Sequence, residues 1–567
     1  MAIEPTETPE VTSRTPTGGF NTAEGTIHVS KPFRSRASKR WRALVTFTPR
    51  ISHFDINNER SGTNEFRGFF TLFWISVFLF MVRTFVATYE SSGSPLNFRF
   101  AALLSKDAIT LAISDAVLVC STAICVPFAK AVSKGWIRGW SVIILQHTIQ
   151  TAILFTAILW TLNREWPWVQ SGFFSLHALV MIMKMHSYLS VNTYMQSNTD
   201  QSQTLLDQLR HETERVGGWE AAMEDAKSQK SPSASAIGSS EIGASPMDTP
   251  PVPVGAQGSY MDAGAASELR KRLLVATAET TKRETLSDPE PDTKKLDVPS
   301  PMEPRPLVNH PDATISELAS EYSDLQGELR SPGPLYIVWP NNITFKNFVV
   351  YMLIPTLVYE LEYPRTERIR PLYVFEKTTA TFGTFALLYS ITETFIMSRL
   401  PTPDDSFLRS LLELSLPFMI CYLLVFYIIF ECICNGFAEL SYFSDRQFYE
   451  DWWNSTSWDE FSRKWNKPVH QFLLRHVYAS SLSNYGISRW SAMFLTFLLS
   501  ACVHELVMVV VTHKFRMYLF LLQLIQIPLI AMSRTPFIKG NKLLGNLVFW
   551  LGLYAGFPLL CVAYVAY

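Results

Sequence analysis

The sequence of 567 residues predicts an all-α polytopic membrane protein. Hydrophobic residues make up 48% of the chain, whereas charged residues make up only 17%. The apolar residues gather into separate runs of about 20, the length that an α-helix needs to cross a bilayer. The net charge of −1 indicates neither a nucleic-acid-binding surface nor a strongly acidic one. No nucleic-acid partner is therefore expected.

Nine apolar runs are long enough to span a membrane. They lie at 69–88, 108–130, 140–163, 172–193, 374–398, 407–434, 490–512, 515–533 and 543–566. A further apolar stretch, 348–360, is too short to span and contains Pro355. We therefore expect about nine transmembrane helices, with 348–360 as an interfacial or re-entrant element.

The basic residues predict the orientation of these helices, because lysine and arginine gather on the cytosolic side. Basic residues are concentrated in 31–42, 130–140 and 533–542, which places the N-terminus in the cytosol. Nine crossings then leave the C-terminus in the lumen, although Lys514 and Arg516 would fall in a lumenal turn. The first 30 residues lack the hydrophobic core of a cleavable signal peptide.

The apolar runs divide the chain into four parts. Transmembrane helices 1–4 fall in 65–194 and helices 5–9 in 336–567, whereas 1–64 and 195–335 are predicted to be a disordered cytosolic tail and insert. The insert contains too little apolar surface to offset the entropy of ordering. Its Ser-Pro and Thr-Pro steps predict either phosphorylation sites or a plain linker. These steps begin at Ser231, Ser245, Thr249, Ser300 and Ser331.

The seven cysteines all lie inside apolar runs, without a CxxC pair or the spacing of a metal site. We expect them to be small hydrophobic side chains and neither disulfide-bonded nor catalytic. They are Cys120, Cys125, Cys421, Cys432, Cys434, Cys502 and Cys561.

One apolar run carries ionisable residues near the middle of the bilayer. His504 and Glu505 lie about fourteen residues into the run 490–512. Ionisable groups at this depth are costly and are functional by default, although a histidine can also merely hydrogen-bond a neighbouring helix. A zinc-binding HExxH motif is excluded because the position of its second histidine is Met508, and no GxSxG motif indicates a serine hydrolase.

The segment 448–470, FYEDWWNSTSWDEFSRKWNKPVH, is too charged to span the bilayer and falls on the cytosolic side. Its tryptophans are consistent with a helix anchored in the headgroup layer. However, Asp451, Asn454 and Asn466 add hydrogen-bonding capacity that an anchor does not need. A phosphate-bearing donor could bind this face, with Lys467 and Arg475 facing its phosphates, and pass an acyl chain inward to His504. A lipid alcohol would reach the same histidine from the bilayer.

Three motifs resemble the membrane-bound O-acyltransferase family, in the branch of sterol and diacylglycerol acyltransferases. They are FYEDWWN (448–454), WNKPVHQFLLRHVY (465–478) and the intramembrane SACVHEL (500–506). The stretches 352–370 and MKMHSY (183–188) are also similar. The resemblance covers roughly 65–195 and 340–567, and it implies interfacial helices and transmembrane helices around a buried catalytic chamber.

The resemblance also implies an activity, the transfer of a fatty acyl group from acyl-CoA to a lipid hydroxyl, and a set of site residues. His504 would be the catalytic base and Asn466 the second essential polar residue. Glu505 either orients His504 or bonds a neighbouring helix. No cofactor or metal is expected, since acyl-CoA is a co-substrate. The residues implied to line the acyl-CoA tunnel are Phe448, Tyr449, Asp451, Trp452, Trp453, Asn454, Trp465, His470 and Ser500.

The acceptor implied by the details of these motifs is a sterol, because they are most similar to the fungal sterol O-acyltransferases. The product would be a steryl ester for storage in lipid droplets, with ergosterol as the acceptor in a fungus. A diacylglycerol acyltransferase and a transporter with His504 in a solute pathway remain alternatives. The family further implies the endoplasmic reticulum membrane and a homo-oligomer, a dimer or tetramer. The GxxxG pattern at 552–556 fits either helix packing between subunits or packing within one chain.

Overall fold

The structure is a computed structural model of the chain. It describes residues 67–93, 105–228, 310–331, 337–401, 406–533 and 541–566, with shorter stretches between 11 and 55 and a few isolated residues elsewhere. In chain order the helices are α1 (Arg67–Ser92), α2 (Ala108–Ser133), α3 (Trp140–Asn163), α4 (Trp168–Glu214), α5 (Trp219–Ser228), α6 (Ala313–Glu328), α7 (Phe345–Leu353), α8 (Pro371–Arg399), α9 (Phe407–Leu440), α10 (Trp458–Trp465), α11 (467–485), α12 (Arg489–Thr512), α13 (Tyr518–Ser533) and α14 (Lys542–Ala566).

Six of the described helices are long and apolar enough to cross a membrane. They are α2, α3, α8, α9, α12 and α14. The predicted runs 69–88 and 172–193 lie in the long helices α1 and α4, and 515–533 lies in the shorter apolar helix α13. A helical, multi-pass membrane protein is thus confirmed, whereas the count of nine crossings stays a prediction.

The predicted disordered insert is shorter than expected, because both of its ends are helical. α4 continues to Glu214, and α6 packs against this extension. Glu328 of α6 accepts hydrogen bonds from Tyr194 (2.8 Å) and Asn198 (2.9 Å). Leu209, Ala222, Leu307, Ile315 and Ala319 form a small apolar core there. Burial of this core offsets the ordering entropy that the overall composition of 195–335 does not.

The proline-directed steps of the insert differ in what the structure describes. Ser331 is buried and donates a hydrogen bond to Glu362 at 2.6 Å, so its hydroxyl is not accessible as a phosphorylation site. The other four steps lie outside the described residues.

The predicted N-terminal tail contains ordered structure. Short strands β1 (Val11–Arg14), β2 (Phe20–Thr22) and β3 (Gly25–Ile27) form an antiparallel sheet in that order. β4 (Leu44–Val45) pairs with β5 (Tyr260–Met261). Phe47, Ser52 and Asp55 are buried. A wholly disordered tail over 1–64 is therefore wrong, since residues near 50 pack into the body of the protein.

The stretch 348–360 forms the short element that the sequence predicts. α7 begins after Thr344, whose hydroxyl accepts a hydrogen bond from the Asn347 amide at 3.2 Å. The buried Lys184 of α4 donates to the carbonyls of Tyr351, Met352 and Ile354 at 2.9, 3.1 and 2.8 Å. A helix C-terminus leaves such carbonyls without partners within the helix. Lys184 therefore fixes the end of α7 on α4.

Candidate active site

The aromatic residues of the segment 448–470 pack mainly against one another. Trp465 stacks on Tyr422 of α9, with 4.7 Å between ring centroids and 4° between ring planes. Its ring also lies 4.6 Å from that of Phe426 and 4.8 Å from that of Trp452. Edge-to-face and stacked pairs of this kind stabilise a fold beyond simple burial. The predicted tunnel residues Trp452 and Trp465 are thus joined in one rigid cluster with α9.

The same cluster contains a buried polar atom without a partner. The indole nitrogen Nε1 of Trp452 is buried and donates no hydrogen bond to any residue that the structure describes. A buried donor left unpaired is destabilising, and such groups occur where a ligand or water supplies the acceptor.

α14 holds the segment from the other side. The carbonyl of Trp453 accepts hydrogen bonds from Asn546 (3.0 Å) and Trp550 (3.1 Å) of α14. A side chain at Gly552 would place its Cβ 2.7 Å from the Trp458 ring, whereas one at Gly556 would meet nothing within 4 Å. Gly552 therefore serves packing within the chain.

The remaining residues of the motif are fixed at their backbone or by short-range bonds. Phe448 is buried beside Phe443, and its carbonyl accepts from the Lys467 amide at 3.0 Å. The hydroxyl of the buried Tyr449 donates to Glu431 at 2.9 Å. Asn454 is exposed and lies 3.4 Å from Asp451.

Lys467 and the nearby Arg475 are held by carboxylates, which corrects the expectation that they face a donor's phosphates. Lys467 pairs with Glu450 at 2.7 Å and Arg475 pairs with Glu360, and both basic side chains are buried. Burial and the nearby Arg50 lower the pKa of Lys467 to about 8. Buried charges need such partners, so these two residues are committed to the fold and do not face a donor's phosphates.

Two further basic residues lie nearer the surface. Arg463 pairs with Asp459 at 2.9 Å, with about 30% of each side chain exposed. Lys464 bridges Asp451 (2.9 Å) and Glu460 (2.7 Å). Exposed ion pairs contribute little free energy, about 0–1 kcal/mol, so Arg463 can exchange its partner for another anion at small cost.

Asn466 occupies the junction between α10 and α11. Its side-chain oxygen caps α11 by accepting a hydrogen bond from the Val469 amide at 3.2 Å. Its side-chain nitrogen Nδ2 donates to no residue in the described part of the chain. The capping bond therefore fixes the side chain and leaves its amide donor available.

His470 follows Asn466 by one helical turn, and its backbone amide donates to the Asn466 carbonyl at 3.0 Å. Burial is the main cause that lowers the pKa of His470 to about 4, and the nearby Arg463 adds to it. The imidazole is therefore neutral at physiological pH.

His504 has one short hydrogen bond, which defines the state of its ring. Nδ1 lies 2.7 Å from the carbonyl oxygen of Ser500, one turn earlier in α12. A carbonyl only accepts, so the Nδ1 atom carries the proton. In the neutral imidazole Nε2 is then left unprotonated as the acceptor. The predicted residue Ser500 orients His504 through its carbonyl, since its hydroxyl is farther from Nδ1, at 3.4 Å.

His504 lies on the face of α12 that is opposite to Leu495. Leu495 precedes it by nine residues, which is two and a half helical turns, so the two side chains point in opposite directions. Both are exposed. Val511, on the same face as His504, lies 3.6 Å from the position of a Cβ at Gly172 of α4. The imidazole is thus on the face of α12 that packs against α4.

Glu505 engages a neighbouring helix. Its buried carboxylate accepts from the backbone amides of Met517 (2.7 Å) and Phe520 (3.1 Å) at the start of α13. It also accepts from the Tyr564 hydroxyl of α14 at 3.2 Å. Of the two roles left open by the sequence, these bonds support the second, because the carboxylate is occupied away from His504.

The structure brings the predicted residues into two groups. The motif residues, Asn466 and His470 belong to the cluster around 448–470, whereas Ser500, His504 and Glu505 lie on α12. The two groups are joined because α11 packs against α12. Among the described residues, no hydrogen bond links Asn466 to His504.

Sequence reasoning missed a polar cluster between α3, α4 and α11. His476 bonds Ser187 at 2.8 Å, and the ring of His186 lies 5.3 Å from that of His476. Gln146 of α3 lies 3.1 Å from Nδ1 of His186. In the sequence, the stretch MKMHSY carries only a family likeness. The cluster is not visible there because its other members come from distant parts of the chain.

The described part of the chain contains no group of three or more side chains of the kinds that could hold a metal ion. All seven cysteines are described and are free.

Comparison with known proteins gives the class of the molecule. Residues 270–566 match the membrane-bound O-acyltransferase family (MBOAT). The chain belongs to this family of membrane acyltransferases.

Individual proteins that the chain resembles include two named sterol O-acyltransferases and one named diacylglycerol O-acyltransferase. The chain is 33% identical to "Probable sterol O-acyltransferase 1" of Schizosaccharomyces pombe, over 92% of the chain and 86% of the relative. It is 32% identical to "Sterol O-acyltransferase 2" of Candida albicans, over 92% of the chain and 78% of the relative. "Diacylglycerol O-acyltransferase 1" of Dictyostelium discoideum is 32% identical, but over only 40% of the chain and 38% of the relative.

Proposed function

We propose that this protein transfers a long-chain fatty acyl group from acyl-CoA to the 3-hydroxyl of a sterol, forming a steryl ester. The observation that carries the proposal is His504, whose Nδ1–H is bonded to the Ser500 carbonyl so that Nε2 remains a free acceptor. Relatives named sterol O-acyltransferases that match nearly the whole chain support the choice of acceptor.

In the proposed reaction, His504 is the general base. Nε2 takes the proton of the sterol hydroxyl as its oxygen attacks the thioester carbonyl. A carbon–oxygen bond forms and the carbon–sulfur bond breaks. The proton passes from the imidazolium to the departing thiolate, giving CoA thiol. General-base assistance of this kind contributes about 10²- to 10⁴-fold to the rate.

Asn466 is proposed to stabilise the negative charge that develops on the thioester oxygen. Its Nδ2 atom is unbonded among the described residues, while its Oδ1 atom is held by the Val469 amide. A donor that is fixed before the reaction costs no reorganisation, and one such hydrogen bond is typically worth about 3 kcal/mol.

The acyl-CoA site is proposed to lie along 448–470 and Ser500. The rings of Trp452 and Trp465, packed edge to face, supply a rigid apolar wall, and the unpaired Nε1 of Trp452 supplies a donor for a polar atom of the pantetheine arm. Arg463, with its exposed and exchangeable ion pair, is the proposed contact for the phosphates.

We further propose nine crossings of the endoplasmic reticulum membrane around a buried catalytic chamber. The N-terminus would be cytosolic and the C-terminus lumenal, as the basic run 31–42 indicates. Steryl ester would pass to lipid droplets. A homo-oligomer is proposed from the family, with Gly556 rather than Gly552 left open for contact between helices.

The test is an acceptor competition in membranes that contain the full chain. Labelled oleoyl-CoA is supplied with equal amounts of sterol and diacylglycerol, and the lipid products are separated. Steryl ester as the dominant product supports the proposal. Triacylglycerol as the dominant product favours the second candidate, a diacylglycerol acyltransferase, to which the Dictyostelium relative points. No labelled ester above that of membranes with His504→Ala would overturn both.

A further inference from the structure

Residues near the N-terminus pack directly against the motif 448–454, about 400 positions away in the sequence. We call the described residues between 47 and 55 the N-terminal strap. Arg50 pairs along its backbone with the chain just before the motif: its amide donates to the Ser444 carbonyl (3.0 Å) and its carbonyl accepts from the Arg446 amide (3.0 Å). The strap thus forms a parallel bridge with this loop, between Arg50 and Asp445.

The side chain of Arg50 locks this backbone pairing. Its Nε and Nη2 atoms donate to the two oxygens of Asp445 at 2.9 and 2.6 Å. Its Nη1 atom donates to Gln447 at 3.3 Å. A two-point arginine–carboxylate contact is among the stronger and more directional ion pairs. Here it is largely shielded, because Asp445 is 5% exposed.

Further along the strap, Ser52 and the motif share one buried acceptor. The Ser52 hydroxyl donates to Oε2 of Glu431, and the Tyr449 hydroxyl donates to the same oxygen at 2.9 Å. Lys377 of α8 pairs with the other oxygen at 2.7 Å. The positions of the strap, the motif, α8 and α9 are therefore coupled at a single carboxylate.

The aromatic residues of the strap complete this contact. The Phe54 ring lies 6.4 Å from those of Tyr449 and Trp453, both motif residues. At the other end, Phe47 packs edge-on against Tyr363 at 5.3 Å and Phe443 at 5.9 Å. The strap therefore touches two motif side chains through Phe54.

We infer that the N-terminal strap positions Tyr449 and Trp453 for acyl-CoA binding, with Arg50 and Ser52 as positioning residues. The inference rests on the proposed role of 448–470 as the donor site. It assigns part of the donor site's geometry to a region in which the sequence predicts only a disordered tail. The strap itself contacts motif side chains and supplies no reacting group.

The strap also contains a point at which added negative charge would release it. The Thr48 amide lies 3.4 Å from Oδ2 of Asp445, and Thr48 is followed by Pro49 and Arg50. A carboxylate or phosphate on residue 48 would repel Asp445 and compete with it for Arg50. Thr48→Glu is therefore a charge probe of the docking, and Thr48→Gln is its neutral counterpart.

The test measures KM and kcat for labelled oleoyl-CoA, equilibrium binding of oleoyl-CoA and thermal stability, all with the full chain in membranes. Arg50→Ala should raise KM and Kd about tenfold, as expected from loss of a charge-assisted hydrogen bond, with kcat changed less than threefold. Thr48→Glu should act in the same direction and Thr48→Gln should not. The exchange Arg50→Asp with Asp445→Arg should recover part of the loss.

The control is Arg409→Ala, which removes an exposed ion pair with Glu413 on α9 and should leave KM unchanged. Should Arg50→Ala prevent folding, Ser52→Ala, which removes only the hydroxyl, carries the test with an expected KM increase of about threefold. Unchanged KM and Kd in the folded variants would overturn the inference while leaving wild-type acyl transfer intact. A wild-type chain that neither binds oleoyl-CoA nor forms ester would instead overturn the proposed function.

Discussion

The segment 448–470 and the His504 face of α12 are built in opposite ways. Many contacts hold the segment: Trp452 packs edge-on against Trp465, Lys467 pairs with Glu450, and α14 binds the backbone. His504 has one short hydrogen bond and an exposed ring. The difference separates residues that maintain a shape from a residue that leaves one atom free for the proposed chemistry.

The sharpest contrast lies between two adjacent residues. Glu505 is 3% exposed and accepts three hydrogen bonds from α13 and α14. His504 uses only Nδ1 and leaves Nε2 unbonded. Glu505 thus packs α12 against its neighbours, whereas His504 is exposed on the same helix.

The largest expected effect is that of His504→Ala. Loss of the base should lower kcat by about 10²- to 10⁴-fold with little change in thermal stability, measured as ester formation and melting temperature in the same membranes. Glu505→Gln should instead lower the melting temperature with little change in kcat, because an amide nitrogen would replace one of the oxygens that accept from the α13 amides. His211→Ala, at an exposed position of α4, is the neutral control. Near-normal turnover in His504→Ala would remove the base assignment.

Asn466 lies between the two extremes, since one side-chain atom caps a helix and the other is unbonded. Asn466→Asp keeps an oxygen for the Val469 amide but loses the amide donor. We expect kcat to fall about 100-fold in both Asn466→Asp and Asn466→Ala, whereas only Asn466→Ala should lose about 1 kcal/mol of capping stability. If Asn466→Asp retains wild-type kcat, Asn466 acts only as a cap.

Two glycines of α14 test whether the segment 448–470 depends on its contact with this helix. Gly552→Leu would drive its side chain into the Trp458 ring, 2.7 Å from the new Cβ. Overpacking of this kind costs about 1–3 kcal/mol, so the melting temperature should fall and KM for oleoyl-CoA should rise. Gly556→Leu, four residues on, meets no atom of the same chain within 4 Å and should leave KM for oleoyl-CoA unchanged. Equal effects of both variants would show that the segment does not depend on this contact.

The last expected effect is a pH dependence of stability from His470. Its pKa in the folded protein is about 4, below the ordinary value of 6.5, because burial and Arg463 disfavour the charged form. Between these values the unfolded chain binds more protons, so the free energy of unfolding falls as pH decreases from 6.5 toward 4. His470→Gln should flatten thermal-denaturation midpoints over this window. A slope that persists in His470→Gln would assign the dependence to another group.

Much of the organisation follows from local sequence. The six described helices that are long and apolar enough to span, the short element at 348–360 and the place of His504 within one of those helices can be predicted, because apolar length and the cost of buried charge act within each segment. The motif 448–454 likewise indicates a donor site through family likeness.

Contacts between distant segments could not be predicted in this way. In the sequence, Lys467 and Arg475 cannot be distinguished from basic residues that bind phosphate. Only folding brings Glu450 and Glu360 close enough to pair with them. The strap at Arg50 was hidden for the same reason, since Asp445 lies 395 positions away.

The sequence alone thus determined a helical membrane acyltransferase with a histidine inside the bilayer, because hydrophobic length and motif chemistry are properties of short stretches. The tertiary structure decided which side chains remain free. The partner of Glu505, the close approach of Gly552 to Trp458 and the docking of Arg50 all depend on what lies opposite each residue, and only the folded chain sets those neighbours.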